Sequence, residues 1–177
     1  DFSRADLSGA VLDGADFSSS VLDYTNLRGA QIDKGTRFSP KSERVYKIQN
    51  SEIEDLDLSF KDLSFSDLSG VDLSKQALQV TDFRNTICNR SNFRRALLNF
   101  AEFSHAELKD TDFFGADLSD ADLRWADLSG ASLDGVLFTG TLLNEDTVLG
   151  GIYRLRREIA TRGGSGRDFR HLPRASV

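Results

Sequence analysis

Large apolar residues recur at every fifth position through most of this chain. Counted from Phe2, the pattern runs to Ile32, and counted again from Ile53 it runs to Leu143. Each of these slots holds Phe, Leu or Ile, except for one that holds Cys88. A period of five fits neither the 3.6-residue turn of an α-helix nor the alternation of a β-strand. The pattern therefore predicts a repeat architecture.

The residue two places before each slot is usually small. Ala5, Ala96 and Ala121 are examples, and Ser91 fills the same position in another unit. Each five-residue unit thus offers one large and one small apolar side chain, together with three polar ones. A solenoid that turns a corner every five residues would place both apolar groups inside, and stacked coils would bury a continuous core.

Several five-residue units have similar amino-acid sequences. Two of them are Ala5-Asp6-Leu7-Ser8-Gly9 and Ala116-Asp117-Leu118-Ser119-Asp120. Over residues 1–32 and 51–143 the sequence resembles the pentapeptide-repeat family. The resemblance implies an all-β fold, a right-handed quadrilateral parallel β-helix with four five-residue units in each coil. We expect this β-helix to occupy residues 1–143.

The two stretches of the pattern are out of step with each other. The separation of Ile32 from Ile53 is one residue more than four units, and Phe38 already follows the second register. The slip is therefore predicted at residues 33–37. Glu43 falls on an apolar slot, so we expect a register break and loop over about 33–50, with Ser39–Tyr46 leaving the solenoid.

Two interpretations of this predicted loop remain open. It is either a tolerated surface insertion or a segment that contacts a partner, because loops on rigid scaffolds often carry binding. In the second case the contact residues would be Lys41, Arg44 and Tyr46.

After Leu143 the five-residue pattern ends. Asn144 or Asp146 would cap a helix. The apolar residues that follow have helical spacing: Val148, Ile152, Leu155 and Ile159. We expect a short C-terminal α-helix over 144–162, which either covers the open end of the β-helix or docks on a partner, and a flexible tail over 163–177. Since no comparable cap precedes Asp1, we also expect further residues or another domain upstream.

Charge narrows the range of functions. The formal net charge is −6, which excludes a uniformly basic nucleic-acid coat and argues against direct nucleic-acid binding. With four units per coil, an acidic column is predicted from four residues: Asp62, Asp82, Glu102 and Asp122. The column is either a by-product of the Asp that precedes most slots, or an anionic surface that imitates a nucleic-acid backbone or steers a basic partner.

Aromatic residues are also predicted on the outside of the coils. Phe60, Val80 and Phe100 would share one column. Phe65, Asn85, His105 and Trp125 would share the neighbouring one. Such stripes either form an interaction surface, where aromatic residues are favoured, or stack on the wall and stabilise adjacent coils.

Candidate chemistry is sparse. The chain has two His residues and one Cys, without a phosphate-binding loop, a dinucleotide-binding motif or a metal-like spacing. Cys88 occupies an apolar slot, where a reactive thiol is not expected. We expect no catalytic residue, no metal and no cofactor, and no apolar run long enough for a membrane span. With no secretory signal visible, the expected compartment is the cytoplasm.

These observations support two functional hypotheses. The first is a non-enzymatic recognition or scaffold module that binds a protein partner, either alone or as one part of a larger protein such as a bacterial effector. The second rests on resemblance to pentapeptide-repeat proteins that imitate DNA, bind DNA gyrase or topoisomerase IV and protect them from inhibitors, as in quinolone resistance. A homodimer is expected only under the second hypothesis, and the basic C-terminal segment argues against it.

Overall fold

Short parallel backbone pairings hold successive coils of the chain together. The computed structural model describes residues 1–54 and 56–149. Partner residues in the second register lie four units apart, as in the series that joins Asp72 to Asn92 and Asn92 to Asp112. Four five-residue units therefore make one coil, and the chain forms the β-helix solenoid that the repeat predicted.

The apolar slots form the interior of this solenoid. Every slot residue from Leu58 to Leu128 is 0% exposed. Phenylalanine rings in slots one coil apart stack in parallel, with ring centroids 4.6 Å apart for Phe83 and Phe103. The small residues two places earlier, such as Ala121, are buried beside them. The five-residue period thus marks the inward side chains.

Each corner of a coil is closed by the same local hydrogen bonds. The slot carbonyl accepts a bond from the amide three residues later, as when Ala116 N–H donates to the Phe113 oxygen over 2.8 Å. The polar residue before a slot accepts from the amide two residues on, as when Ser119 N–H donates to Asp117 Oδ1 over 3.0 Å. This turn explains why Asp precedes so many slots.

The register slip lies where the sequence predicted it. Asp6 pairs with Asn26, four full units further along the chain. Strand β1, Asp16–Phe17, pairs in parallel with strand β2, Arg37–Phe38, and this pairing spans one residue more than four units. The additional residue enters a turn over 33–36. There Thr36 Oγ1 donates to the carbonyl of Leu12 over 2.9 Å, and Asp33 Oδ1 accepts from Gly14 N–H over 2.7 Å.

The predicted loop over Ser39–Tyr46 is wrong, because this segment begins an α-helix. Helix α1 spans Pro40–Gln49, and the Ser39 side chain caps its first turn by accepting from Ser42 N–H. Proline at the first helical position suits the start of a helix, since its missing N–H would have no partner there.

Buried side chains on α1 explain why the segment stays on the solenoid. Val45 and Ile48 join the main core, whereas Tyr46 packs against Leu27 and Ala30 of the N-terminal coils. Helix α1 therefore connects two cores. The prediction that Tyr46 is a surface contact is also wrong: its side chain is buried, and its hydroxyl donates to the carbonyl of Ala30 over 3.1 Å.

Gln49, at the end of α1, bonds to coils on both sides. Its Nε2 donates to the carbonyl oxygens of Thr25 and Asp67, over 3.0 and 2.8 Å. Its Oε1 accepts from Leu27 N–H over 2.8 Å. One buried amide thus provides hydrogen bonds between the N-terminal coils and the coil that begins after α1.

The β-helix continues past Leu143, so the predicted helix start at Asn144 is wrong. Val148 pairs with Asp127, again across one residue more than four units, and Leu149 is buried. The turn over 144–147 repeats that over 33–36, since Thr147 Oγ1 donates to the Leu123 carbonyl over 3.0 Å. The rest of the predicted helix, 150–162, and the predicted tail, 163–177, lie outside the described residues. Within residues 1–54 and 56–149, no helix has the length and apolar character needed to cross a membrane.

Candidate protein-binding face

The acidic column exists as a physical row on one wall of the solenoid. Asp62 pairs with Asp82, Asp82 with Glu102, and Glu102 with Asp122, each through parallel backbone bridges. The four carboxylates are therefore stacked at the spacing of neighbouring strands, about 4.8 Å. The four-unit coil alone was enough to predict this row.

Cations accompany every member of the acidic column. Arg84 lies 2.6 Å from Asp82 and 3.1 Å from Glu102. Arg124 lies 2.6 Å from Asp122. Lys41, at the start of α1, reaches to 3.7 Å from Asp62. The column is therefore a row of ion pairs rather than a bare anionic stripe.

The contacts of two members of the column, Asp62 and Asp122, favour their ionised forms. Partial burial of Asp62 opposes its ionisation, but hydrogen bonds from the Ser64 hydroxyl and amide, with the charge of Lys41, outweigh burial and lower the pKa of Asp62. At Asp122 burial is likewise outweighed by hydrogen bonds from Arg124, and the pKa of Asp122 falls. Donating hydrogen bonds to Asp82 raises the pKa of Arg84.

One aromatic ridge borders the acidic column on its N-terminal side within each coil. Phe60, Val80 and Phe100 occupy this corner, and we call them the first ridge. Phe60 is 72% exposed and Phe100 is 57% exposed. All three have positive φ angles between 58° and 60°. The predicted outward column is therefore present.

A second ridge borders the other side of the column and contains Phe65, Asn85, His105 and Trp125. The rings of His105 and Trp125 are parallel, with centroids 4.9 Å apart. Phe65 lies edge-on to Tyr24 at 6.3 Å, and Lys41 Nζ sits 5.8 Å from the Phe65 ring centroid. Stacking between coils and outward exposure thus occur together on this ridge.

Of the three residues predicted to contact a partner from the loop, the structure brings one to this face. Lys41 joins Asp62 and Phe65, as described above. Arg44 is half-buried, and its Nε has no hydrogen-bond partner among the described residues. Tyr46 faces the N-terminal core instead.

Sequence reasoning missed three members of this face. Arg84 and Arg124 follow Asp82 and Asp122 by two residues, and side chains at this spacing meet at a corner of the coil. The two-residue spacing is visible in the sequence and could have predicted these ion pairs. Tyr24 belongs to the N-terminal coils, yet its hydroxyl donates to the Asn85 carbonyl over 2.7 Å. No sequence signal placed Tyr24 there, because helix α1 separates the two stretches.

Other chemistry does not gather on the described part of the chain. Among residues 1–54 and 56–149, no group of three or more His, Cys, Asp or Glu side chains is placed to hold a metal ion. Cys88 is buried, and burial raises the pKa of its thiol to about 12. A thiol with so high a pKa is a poor nucleophile.

Comparison with known protein families identifies the family to which the five-residue repeat belongs. The sequence profile described as Pentapeptide repeats matches residues 1–35, 78–113 and 106–144, in eight copies. The chain belongs to the pentapeptide repeat family. A search of curated protein sequences gives no match.

Solved structures of other pentapeptide repeat proteins are similar to this chain. Rfr23 from the cyanobacterium Cyanothece 51142 is 21% identical, with 81% of this chain and 90% of that chain covered and a TM-score of 0.45. A thylakoid-lumen protein of Arabidopsis thaliana is 35% identical over 53% of this chain and 61% of its own, with a TM-score of 0.27. QnrB1, a plasmid-mediated fluoroquinolone resistance protein, is 16% identical over 92% of both chains, with a TM-score of 0.22.

Proposed function

We propose that this chain is a non-enzymatic recognition module on a right-handed quadrilateral β-helix. It binds a protein partner through the face made of the acidic column and the two ridges that border it. The observation that carries this proposal is the placement of large aromatic side chains, exposed, at corner positions whose backbone favours glycine.

The conformational free energy of holding aromatic residues at these corners supports a function other than stabilising the fold. A left-handed backbone costs a residue with a Cβ roughly 1–2 kcal/mol relative to its usual conformation. The two corners away from the acidic column carry Gly, Arg, Lys and Asp at this position. They are Gly70, Arg90, Asp110 and Gly130 on one side, and Lys75, Arg95, Gly115 and Gly135 on the other. None of these eight residues is aromatic. Among the left-handed corners of these coils, the aromatic rings are therefore concentrated on the proposed face.

At the first ridge, contacts within the fold offset little of this conformational free energy. Phe60 and Phe100 leave more than half of their surface in water. A partner that covered them would gain the large apolar area of each ring, and exposed aromatic residues are favoured as binding hot spots. The ion pairs of the acidic column would then lie between the two ridges, as a polar strip within the interface.

The test uses glycine, because glycine suits the left-handed corner. In the double variant Phe60→Gly, Phe100→Gly the rings are removed while the backbone strain is relieved, so the fold is retained. We expect a partner captured by the parent chain to bind this variant at least tenfold more weakly, about 1.4 kcal/mol, in calorimetric titration. The matched control is Lys75→Gly, Arg95→Gly, which makes the same change on another corner and should bind like the parent. Equal affinity for all three chains would remove the proposal.

The second candidate, imitation of DNA to protect gyrase or topoisomerase IV, is favoured by one observation, the continuous row of four carboxylates. Three cations, Arg84, Arg124 and Lys41, lie among them. Duplex DNA carries about one unpaired charge per 1.7 Å of its axis, so the row is a weak imitation. A gyrase supercoiling assay with and without a quinolone distinguishes the candidates, since the recognition module predicts no change in either condition.

A further inference from the structure

The wall that ends at the first ridge carries another outward column, which we call the mixed column. Ala77 pairs with Leu97, Leu97 with Asp117, and Asp117 with Leu137, each through a parallel backbone bridge. Leu97 is 45% exposed and Leu137 is 51% exposed. The apolar surface of the first ridge therefore continues onto this neighbouring wall.

Two carboxylates interrupt this apolar surface in a single coil. Asp117 follows Leu97 in the mixed column, and Asp120 follows Phe100 at the left-handed corner that carries the first ridge. One coil further, Leu137 makes the surface apolar again. Along the solenoid axis the surface is therefore apolar, then acidic, then apolar.

Within residues 1–54 and 56–149 neither Asp117 nor Asp120 forms an ion pair, unlike every member of the acidic column. Burial opposes the ionisation of Asp117, but hydrogen bonds from the Ser119 hydroxyl and amide and from the Asn99 side chain outweigh burial and lower the pKa of Asp117. The described part of the chain thus leaves negative charge without a partner between two apolar places.

The spacing of the coils distinguishes the kinds of partner backbone that match this order. Neighbouring coils lie about 4.8 Å apart, so Leu97 and Leu137 are separated by about 9.6 Å along the axis. Residues i and i+7 of an α-helix are about 10.5 Å apart along the helix, a difference of about 1 Å. Residues i and i+4 of a β-strand, which point to the same side, are about 13 Å apart. A helix parallel to the solenoid axis therefore matches the three coils better than an extended strand.

We propose that the partner presents an amphipathic α-helix that carries an apolar, a basic and again an apolar residue on successive turns of one face. The inference rests on the proposed function, since this helix would contact the first ridge, and it adds the chemistry of the partner. The basic residue would lie between Asp117 and Asp120, and the apolar residues would lie against Leu97 and Leu137. Such a charge pair, enclosed by apolar contacts, is screened less by salt than an open one.

Binding of three synthetic peptides to the full chain tests the proposal. Each is an alanine-rich peptide of about 18 residues, long enough to form a helix in water, with leucine at positions i and i+7. The first has lysine at position i+4, the second has glutamate there, and the third is the lysine peptide with a proline on its opposite face, which breaks the helix. In fluorescence anisotropy we expect the lysine peptide to bind at least tenfold more tightly than either of the others.

A double variant of the chain tests the role of the two carboxylates. Asp117→Asn, Asp120→Asn removes both charges with little effect on the fold, because Asn already occupies equivalent places. Asn92 accepts a bond of 3.0 Å from the amide two residues later, and Asn85 has a φ of 57°. We expect this variant to bind the lysine and glutamate peptides within about twofold of each other.

The matched control is Asp72→Asn, Asp110→Asn. It makes the same change in net charge at one wall and one left-handed corner away from the first ridge, so the preference for the lysine peptide should remain. Four outcomes would overturn the inference: no binding of the lysine peptide, equal affinity for the lysine and glutamate peptides, equal affinity for the proline peptide, or an equal loss of preference in the control.

The variant Phe60→Gly, Phe100→Gly separates a failure of this inference from a failure of the proposed function. If it weakens binding of the captured partner while the parent chain shows no preference for the lysine peptide, the recognition face stands and the basic helix is wrong. If the captured partner binds this variant as tightly as the parent, the proposed face itself is wrong.

Discussion

Replacing Gln49 by Leu tests how the N-terminal coils are joined to the rest of the solenoid. The change keeps the size of the side chain but removes its three hydrogen bonds, to Leu27 N–H and to the carbonyls of Thr25 and Asp67. An orphaned buried polar group costs about 1–3 kcal/mol, so Gln49→Leu should cost roughly 3 kcal/mol or more. That is a large fraction of the stability of an ordinary domain, which is about 5–15 kcal/mol.

Gln49→Glu sharpens the same test. The carboxylate retains an acceptor for Leu27 N–H but faces two carbonyl oxygens, which raises its folded-state pKa above the unfolded value of about 4.3. The folded state then binds more protons than the unfolded state. Stability therefore falls as the pH rises through the folded-state pKa, and the deficit relative to the parent should be larger at pH 8 than at pH 5.

Urea denaturation followed by circular dichroism measures both effects. Lys47→Gln is the control, because Lys47 lies on the same helix and makes only an exposed ion pair with Glu43, of the kind that contributes about 0–1 kcal/mol. If Gln49→Leu unfolds at the same urea concentration as the parent, the amide does not bridge the coils.

Three further predictions concern the main core and the acidic column. Leu118→Ala should cost about 2–5 kcal/mol in urea denaturation because a cavity opens, and Leu118→Asp more; parent-like midpoints would show that slot 118 is not interior. Phe103→Ala should cost about 3–5 kcal/mol, and Phe103→Leu less, since Leu fills neighbouring slots; equal losses would show that Leu does not fill this slot. The lowered pKa of Asp122 contributes stability above the unfolded-state pKa, lost as the pH falls through the folded-state value. Asp122→Asn should therefore lose less stability than the parent between pH 7 and pH 3, and an identical loss would contradict this.

The interior could be predicted because it follows from the five-residue period. The columns also required four units per coil, which the family resemblance implied; with that number, residues four units apart align, as Asp62 and Asp82 do. The register slip was also readable, since a single additional residue shifts every later slot.

Helix α1 was not predicted because two signals conflict. Ile48 falls on an apolar slot of the five-residue pattern and also on the buried face of α1, so the slot count gives no warning. Glu43 on a slot suggests that the chain leaves the solenoid, whereas on a helix this side chain simply faces solvent. The wrong assignment of Tyr46 to the surface has the same origin.

The end of the β-helix was placed too early for a different reason. A corner with one additional residue uses Asp33 and Thr36, and the same spacing returns in Asn144 and Thr147. Recognising the first turn as a motif would have carried the solenoid on to Leu149. The two ridges were predicted because residues four units apart stack in columns. Pairing Arg84 and Arg124 with the acidic column required knowing that side chains two residues apart meet at a corner.

The four-unit offset between paired residues also limits how such a chain can change in length. Deleting a single unit would move every later side chain to the adjacent wall, so that the carboxylates would no longer stand above one another. Deleting a whole coil would shorten the wall and leave each row intact. Insertions and deletions that preserve the proposed binding face are therefore expected to add or remove complete coils.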